Sequence, residues 1–354
     1  MAARATIRED WGLVGHEWPV RALARSIATD RVAHAYLFTG SHAIGKTTLA
    51  RKLAQTLQCT REARPCGQCP ACQKIARDRH PDAQIIEGVP VGYKFDEKSP
   101  PAPPRTNDWE RRILKIDQVR ALQHDVSRAP FEGRWKIVIL RRFEEANEEA
   151  ANAFLKTLEE PPRHTRLILT ARDASLLLPT ITSRCQVFAL RPLAPAQVET
   201  ALIEKWHADP EQARLLARLS AGRLGWAVRA NENRALLDAR IQYLDELNGA
   251  LSEGRAERLL RAEGLAKKSN DLPELLETWL GWWRDVLLVQ NGDGSRITNV
   301  DREDALRDQA NRFTLEQAQS TLQAVRATAR YLTQNVNARL ALEVLLLNLP
   351  GINQ

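Results

Sequence analysis

The chain has 354 residues, of which 27% are charged and 44% hydrophobic, with a formal net charge of +7. This balance is typical of a soluble globular protein that is long enough for two or three domains. Charged residues interrupt the amino-terminal segment, and the longest apolar run, 344–349, is too short to span a bilayer. We therefore expect a cytoplasmic protein that makes no membrane contact.

The first motif is a glycine-rich loop placed between a strand and a helix. A leading helix is predicted over 11–29, and the apolar run 36–38 predicts a strand. The run GSHAIGKT at 40–47 follows and fits the pattern G-x-x-x-x-G-K-[ST]. Leucines at every fourth position over 49–57 then predict a helix. Strand, loop and helix in this order form the context that a phosphate-binding loop requires.

The residue types of this loop suit the binding of phosphate groups. Glycines let several backbone N–H groups point at one spot, and the helix N-terminus adds its positive dipole end. Lys46 would reach the outer phosphates, and Thr47 would hold a magnesium ion. The predicted nucleotide-binding residues are Gly40, Gly45, Lys46, Thr47 and Thr48.

Four of the five cysteines are clustered directly after this helix. Their spacing is C-x6-C-x2-C-x2-C, which lets four thiolates close a tetrahedral site for structural zinc. An iron–sulfur cluster uses related spacings, and four free thiols are the remaining alternative. Zinc is favoured, and a site closed by four thiolates leaves no position for catalysis. The predicted ligands are Cys59, Cys66, Cys69 and Cys72.

The middle of the chain alternates strand and helix patterns around an unusual insert. A second strand is predicted at 84–87 and a helix at 116–122. Between them, 88–107 contains four prolines within 100–104 and is predicted to be an exposed, partly disordered loop.

The buried-type strand 135–140 ends in two arginines. A magnesium-dependent NTPase needs an aspartate and a glutamate there, one to hold the metal and one to activate water. Arg141 and Arg142 can do neither, because a guanidinium is neither a metal ligand nor a proton acceptor. Glu144 and Glu145 would lie about 10 Å further along an extended chain. We therefore expect no hydrolysis by this chain's own site.

The rest of the chain continues the α/β pattern and then becomes helical. A helix is predicted over 148–160, and buried strands at 166–170 and 186–190. Short helices follow over 196–231, and longer ones continue to the end. Apolar stripes mark two of these helices and indicate core or subunit interface, and tryptophans within one stripe indicate packing rather than base stacking. The stripes contain Leu276, Trp279, Leu280, Trp283, Val286 and Leu287 in one helix, and Val336, Leu340, Val344 and Leu347 in the last.

Together these motifs resemble the delta-prime family of bacterial DNA polymerase III clamp-loader subunits, which are AAA+-type proteins. The similarity includes the leader 14–40, the phosphate loop and the four cysteines. Three further runs carry it: AANAFLKTLEEPP at 150–162, SRC at 183–185 and NVNARL at 335–340. The first of these is specific to delta-prime and gamma/tau proteins. The insert 88–107 has no counterpart in the family pattern.

The resemblance implies an α/β plus all-α chain built from three parts. These are an AAA+-type parallel-sheet domain over 1–191 with the zinc module 59–72, a small helical lid over 192–231, and a helical collar over 232–354. It also implies a hetero-pentamer with gamma/tau and delta subunits. Through that complex the chain would act on the sliding clamp and on primer–template DNA.

The resemblance further implies that Arg184 projects into the ATP site of a neighbouring gamma/tau subunit as an arginine finger. The local alternative is an arginine that pairs with a nearby acid or caps a helix. Delta-prime members generally do not hydrolyse ATP, so no independent catalysis is expected. Because the phosphate loop is intact and the carboxylate pair is gone, whether ATP is held without hydrolysis is left open.

Two other functions compete with this interpretation. A gamma/tau-type ATPase motor is disfavoured by Arg141 and Arg142 and by the end of the chain soon after the collar. A zinc-ribbon protein that binds nucleic acid would need aromatic and basic residues among the cysteines. Basic residues are present there, but no aromatic residue lies between Cys59 and His80. Elsewhere the positive charge is spread as single arginines, which permits contact with nucleic acid without requiring it.

Overall fold

The structure, a computed structural model, describes residues 7–95, 110–268, 270–333 and 336–351. The chain divides into two compact units. The first includes 111–193, most of the preceding chain and a short return at 223–225, and the second includes 194–222 and the chain from 226 onward. Over the described residues, no helix is long and apolar enough to cross a bilayer.

The first unit is built on a five-stranded sheet in which all neighbouring strands are parallel. Its strand order is β2-β5-β6-β1-β7, so the strand before the phosphate loop lies between two others. The middles of the central strands are apolar because helices cover both faces of a parallel sheet. The strands are β1 Ala35–Thr39, β2 Ala83–Ile86, the short β3 Val89–Pro90 and β4 Arg112–Ile113, β5 Lys136–Leu140, β6 Thr165–Ala171 and β7 Gln186–Ala189.

Within the described part of this unit, six helices accompany the sheet, and one of them follows the phosphate loop as predicted. They are α1 Glu17–Ala28, α2 Lys46–Gln58, α3 Pro70–Ala76, α4 Ile116–Val126, α5 Glu148–Glu159 and α6 Pro179–Thr182. The leading helix is shorter than the predicted 11–29. Gly15 and His16 have φ angles of 70° and 60°, which a right-handed helix cannot contain, so α1 begins only at Glu17.

The carboxyl ends of three adjacent strands lie at the same edge of the sheet, with β5 ending two residues before β6 and β1. Leu140 of β5 pairs with Leu169 of β6, and Leu169 pairs with Leu37 of β1. The residues that follow β1 and β5 therefore emerge from the same edge of the sheet, where parallel α/β proteins bind ligands. This register brings the phosphate loop and the two arginines together.

The predicted loop at 88–107 is only partly within the described structure. Its first residues form β3, which pairs antiparallel with β4 as a two-stranded sheet. Residues 96–109, which include all four prolines, lie outside the described residues. The expectation of disorder there stays a prediction.

The second unit is entirely helical over its described residues. The tryptophan stripe predicted to pack lies in α12: Trp279, Trp282 and Trp283 are at most 1% exposed, which confirms packing over base stacking. Trp279 Nε1 also donates to the Tyr243 carbonyl at 2.7 Å. The helices are α7 Pro195–Trp206, α8 Pro210–Leu219, α9 Leu224–Glu232, α10 Ala235–Ser252, α11 Arg255–Lys267, α12 Leu272–Gln290, α13 Glu303–Arg312, α14 Leu315–Thr333 and α15 Ala338–Leu347.

The apolar stripe of the last helix faces outward. Leu340 and Val344 of α15 are 58% and 60% exposed, and Val336 precedes the helix and is also exposed. The buried face of α15 is instead formed by Ala341, Leu342, Leu345 and Leu346. Of the two interpretations of this stripe, core and interface, the structure rules out the core.

The expected fold class, α/β plus all-α, is confirmed. A parallel sheet with a phosphate loop forms the first unit, and helices form the second. The further division of the second unit into a lid and a collar stays a prediction.

Candidate functional site

The phosphate loop has the backbone that its sequence requires. Gly40 and Gly45 have φ angles of 142° and 110°, and Gly45 stands directly before α2. A Cβ on Gly40 would come within 2.8 Å of the Leu190 carbonyl oxygen, so only glycine fits there. Lys46 Nζ donates to the carbonyls of Gly40 and Ser41 at 2.6 and 2.8 Å. Thr47 and Thr48 lie in the first turn of α2, so the predicted residues are assembled and fit a phosphate group.

His16 is a loop partner that the sequence did not reveal. Its Nε2 lies 2.9 Å from the carbonyl oxygen of Ile44. Because a carbonyl only accepts, that ring nitrogen carries a proton and donates it. The ring also lies 3.4 Å from where a Cβ on Gly45 would stand. His16 thus supports the loop from the segment that precedes α1. Its left-handed backbone, directly after Gly15, is visible in the structure but not in the sequence.

The two arginines after β5 point to different partners. Arg141 Nη1 lies 3.1 Å from a carboxylate oxygen of Glu87, which follows β2. Arg142 instead extends to the phosphate loop, where its Nη2 lies 2.7 Å from Nε2 of His42. Its backbone is left-handed, with φ 52°, and its N–H donates to Thr170 Oγ1 at 3.0 Å. The geometry places a guanidinium at the loop itself.

The acidic residues beyond the arginines do not continue along an extended chain, as the sequence estimate assumed. Residues 143–145 form a 3₁₀ turn that folds them back. Glu145 lies 3.8 Å from Arg142 Nη1, and Glu144 accepts the backbone N–H of Arg172 at 3.2 Å. Both carboxylates therefore have arginine neighbours.

The four clustered cysteines converge on one point. Their Sγ atoms all lie within 4.8 Å of one another, and those of Cys59 and Cys69 are 3.9 Å apart. Backbone N–H groups donate to sulfur: Cys69 N–H to Cys66, and Cys72 N–H to Cys69. Burial alone would raise the pKa of Cys69, but N–H donors outweigh burial and lower it to about 6. N–H groups aimed at sulfur stabilise thiolates, so this donor set fits the predicted structural zinc.

Arg184 has a partner within its own chain. Its Nη2 lies 2.8 Å from a carboxylate oxygen of Glu159 at the end of α5, and its Nη1 donates to the Thr180 carbonyl at 2.9 Å. The guanidinium remains 35% exposed. The structure therefore contains the local ion pair that was weighed against the finger role, with the side chain still accessible to a neighbour.

A buried aspartate next to the cysteine module was also missed. Asp82 is 2% exposed, and its carboxylate accepts the backbone N–H groups of Phe131, Glu132 and Gly133 at 2.7–2.8 Å. Glu132 in turn pairs with Lys74 of α3 at 2.7 Å. Asp82 thus fixes the 131–133 loop that holds the cysteine module against the amino end of β5.

We expect Asp82→Ala to lower the free energy of unfolding by about 3 kcal/mol, because three backbone donors lose a charged acceptor. Burial alone would raise the pKa of Asp82, but the three N–H donors and Lys136 hold it below its usual range. The folded-state pKa thus lies below the unfolded value of about 3.9. The stabilisation is therefore complete above that value and lost as pH falls through the folded-state pKa.

Urea unfolding at pH 7 and near pH 3 measures both effects. Asp117→Ala is the control, since Asp117 is an exposed residue of the first turn of α4 with a 3.6 Å surface pair to Arg120. Equal losses for the two variants at pH 7 would show that Asp82 does not anchor the loop.

Comparison with known proteins places the chain among replication proteins. Family models described as DNA polymerase III, delta subunit, match residues 15–194, and as its C terminal part, residues 234–350. The DNA polymerase III subunit delta' of Bacillus subtilis is 30% identical over 93% of this chain and 94% of its own length. That of Pseudomonas aeruginosa is 34% identical over 73% of each chain.

Another subunit of DNA polymerase III, tau, is similar over part of its length. DNA polymerase III subunit tau of Escherichia coli is 34% identical over 71% of this chain, but the match spans only 37% of tau. The matches to the delta' relatives, in contrast, span most of both chains. The chain therefore belongs to the delta/delta' family of DNA polymerase III clamp-loader subunits.

Proposed function

We propose that this chain is the non-hydrolysing, stator-like delta' member of its clamp loader, which helps to load the sliding clamp on primed DNA during replication. One observation carries the proposal: Arg141 and Arg142 directly follow β5, where hydrolysis needs carboxylates for metal and water. Arg142 also lies against the phosphate loop, where a guanidinium disfavours a second cation.

The proposed partners are gamma/tau and delta subunits in a hetero-pentamer, with the clamp and primer–template DNA contacted through the complex. The outward stripe of α15 supports a subunit contact, because Leu340 and Val344 are large apolar side chains left in solvent. Leu260 of the neighbouring α11 is 70% exposed, and Arg339 and Glu263 join the two helices at 3.4 Å. We assign this two-helix face to the collar interface.

We further propose that Arg184 enters the ATP site of the adjacent gamma/tau subunit. Its 2.8 Å pair with Glu159 would be exchanged for the γ-phosphate of the neighbour's nucleotide. Because one third of the side chain is exposed, this exchange requires no unfolding. Glu159 would keep the guanidinium in place until the neighbour arrives.

Two bound groups and a location complete the proposal. Structural zinc would be held by the four cysteines, whose sulfur atoms already lie within 4.8 Å of one another. ATP would bind at the phosphate loop without being hydrolysed, through Lys46, Thr47 and the loop N–H groups. The proposed domains are 1–191, 192–231 and 232–354, and the proposed location is the cytoplasm, where replication complexes act.

ATP turnover tests the proposal directly. The purified chain is expected to show no turnover alone. A mixture of this chain with the gamma/tau and delta subunits of its own organism is expected to hydrolyse ATP. The sliding clamp and primed DNA are expected to stimulate that turnover. Phosphate release is the measurement, and a mixture without this chain is the control. Robust turnover by the chain alone, abolished by Lys46→Ala, would identify a motor instead.

A further inference from the structure

The phosphate loop has a fixed cation on the side where an NTPase binds its metal. In such enzymes, the metal-binding carboxylate stands at the carboxyl end of the strand that corresponds to β5. Here the last residue of β5, Leu140, is level with Leu37 of β1, and Arg142 extends to His42 within the loop at 2.7 Å. Its side chain is only 15% exposed. The guanidinium is therefore part of the loop's wall rather than a surface charge.

The contact with His42 leaves the charge of Arg142 in place, and the carboxylate of Glu145 lies 3.8 Å from its Nη1, beyond hydrogen-bond distance. A guanidinium has donors only, so Nε2 of His42 must accept, and the proton of the ring lies on Nδ1. The imidazole that accepts this bond is therefore neutral. The left-handed backbone of Arg142 and its 3.0 Å N–H bond to Thr170 fix the direction of the side chain. The neighbouring Arg141 is directed away to Glu87.

We propose that Arg142 replaces the magnesium ion at this loop, so that the chain binds the phosphates of a nucleoside di- or triphosphate without a metal. The inference rests on the proposed function only in that the chain does not hydrolyse the nucleotide. Lys46, the loop N–H groups and Arg142 together would neutralise the phosphates. Thr47 would then donate its hydroxyl to a phosphate rather than ligate a metal.

Charge and geometry both favour this arrangement. Like charges repel one another strongly at close range in a partly buried site, and a divalent ion doubles the repulsion of a monovalent one. A metal ion beside Arg142 is therefore disfavoured. A guanidinium has five N–H donors, so Arg142 keeps donors for a phosphate oxygen beyond the one that His42 accepts. Because Arg142 stands just after a strand, its guanidinium is held in position before a phosphate binds.

Equilibrium binding of a fluorescent ATP analogue to the full-length chain tests the inference. We expect the same Kd within about threefold in EDTA and in excess Mg²⁺, since the fixed cation does the work of the metal. Arg142→Gln is expected to raise the Kd more than tenfold, and Arg142→Lys less. Arg141→Gln is the matched control and is expected to leave the Kd within about twofold, because Arg141 faces Glu87.

The outcomes separate this inference from the proposed function. Binding that requires Mg²⁺ would overturn the inference and leave the clamp-loader role intact. Absence of binding in both conditions would also overturn it, whereas the clamp-loader role is tested by turnover of the mixed complex. Arg142→Gln could also destabilise the fold, which a lower unfolding temperature without nucleotide would show. In that case the Kd of the unaltered chain in EDTA and in Mg²⁺ tests the inference without the variant.

Discussion

Arg184→Ala is expected to slow ATP hydrolysis about a thousandfold at the one site that adjoins this chain in the assembled clamp loader. Arginine fingers contribute 10³–10⁵ to kcat in related NTPases, because their charge meets the negative charge that develops on the γ-phosphate. Single-turnover hydrolysis by the complete complex is the measurement. A fraction of the bound ATP, corresponding to one site, should become slow, while assembly by size-exclusion chromatography stays unchanged.

Glu159→Gln separates the finger from the local ion pair. That pair is partly exposed, so its loss should cost at most about 1 kcal/mol of stability in either variant. If Arg184 only pairs with Glu159, both substitutions should have the same small effect on unfolding and none on hydrolysis. If Arg184 is an arginine finger, the complete complex should still hydrolyse ATP rapidly with Glu159→Gln, but it should lose rapid hydrolysis at one site with Arg184→Ala. A complete complex with unchanged single turnover would remove the proposed role.

Cys69→Ser is expected to release about one equivalent of zinc per chain and to loosen the module around it. Structural zinc sites of four thiolates contribute about 10–16 kcal/mol of binding free energy, which in small modules is folding free energy. Cys69 also caps α3, since its sulfur accepts the N–H of Cys72. Metal analysis by mass spectrometry measures the zinc, and limited proteolysis within 59–72 measures the loosening.

Cys185→Ser is the matched control for this experiment. Cys185 is the one cysteine outside the cluster, and burial raises its pKa to about 12. Its substitution is expected to leave the zinc content unchanged. Unaltered protein that is purified without chelators and still contains no metal would contradict the zinc assignment, and iron in place of zinc would correct it.

The motifs with strict spacing could be predicted from the sequence. Gly40 to Thr47 and the four cysteines are local patterns whose chemistry depends on neighbouring residues, and both assemble as expected. The stripe of α12 was also predictable, because tryptophans at helical spacing have to be buried somewhere.

The features that were missed depend on long-range contacts. Asp82 meets its loop partners about fifty residues later, and Arg142 meets His42 a hundred residues away. No local pattern distinguishes the direction of Arg141 from that of Arg142, because only the register of β5 and β2 decides it. The exposure of the α15 stripe could not be predicted for a related reason. Periodicity identifies an apolar face of a helix, but it does not show whether neighbouring helices of the same chain cover that face.

The parallel sheet has a consequence for how this protein can diverge. The phosphate loop emerges from the carboxyl end of β1, while the cysteine module begins where α2 ends, 13 residues later and about 20 Å along a helix. Asp82 ties that module to the amino ends of β2 and β5 instead. The two sites thus lie at opposite ends of α2. Substitutions in the phosphate loop can therefore accumulate one at a time while the cysteine module keeps its own contacts with the sheet.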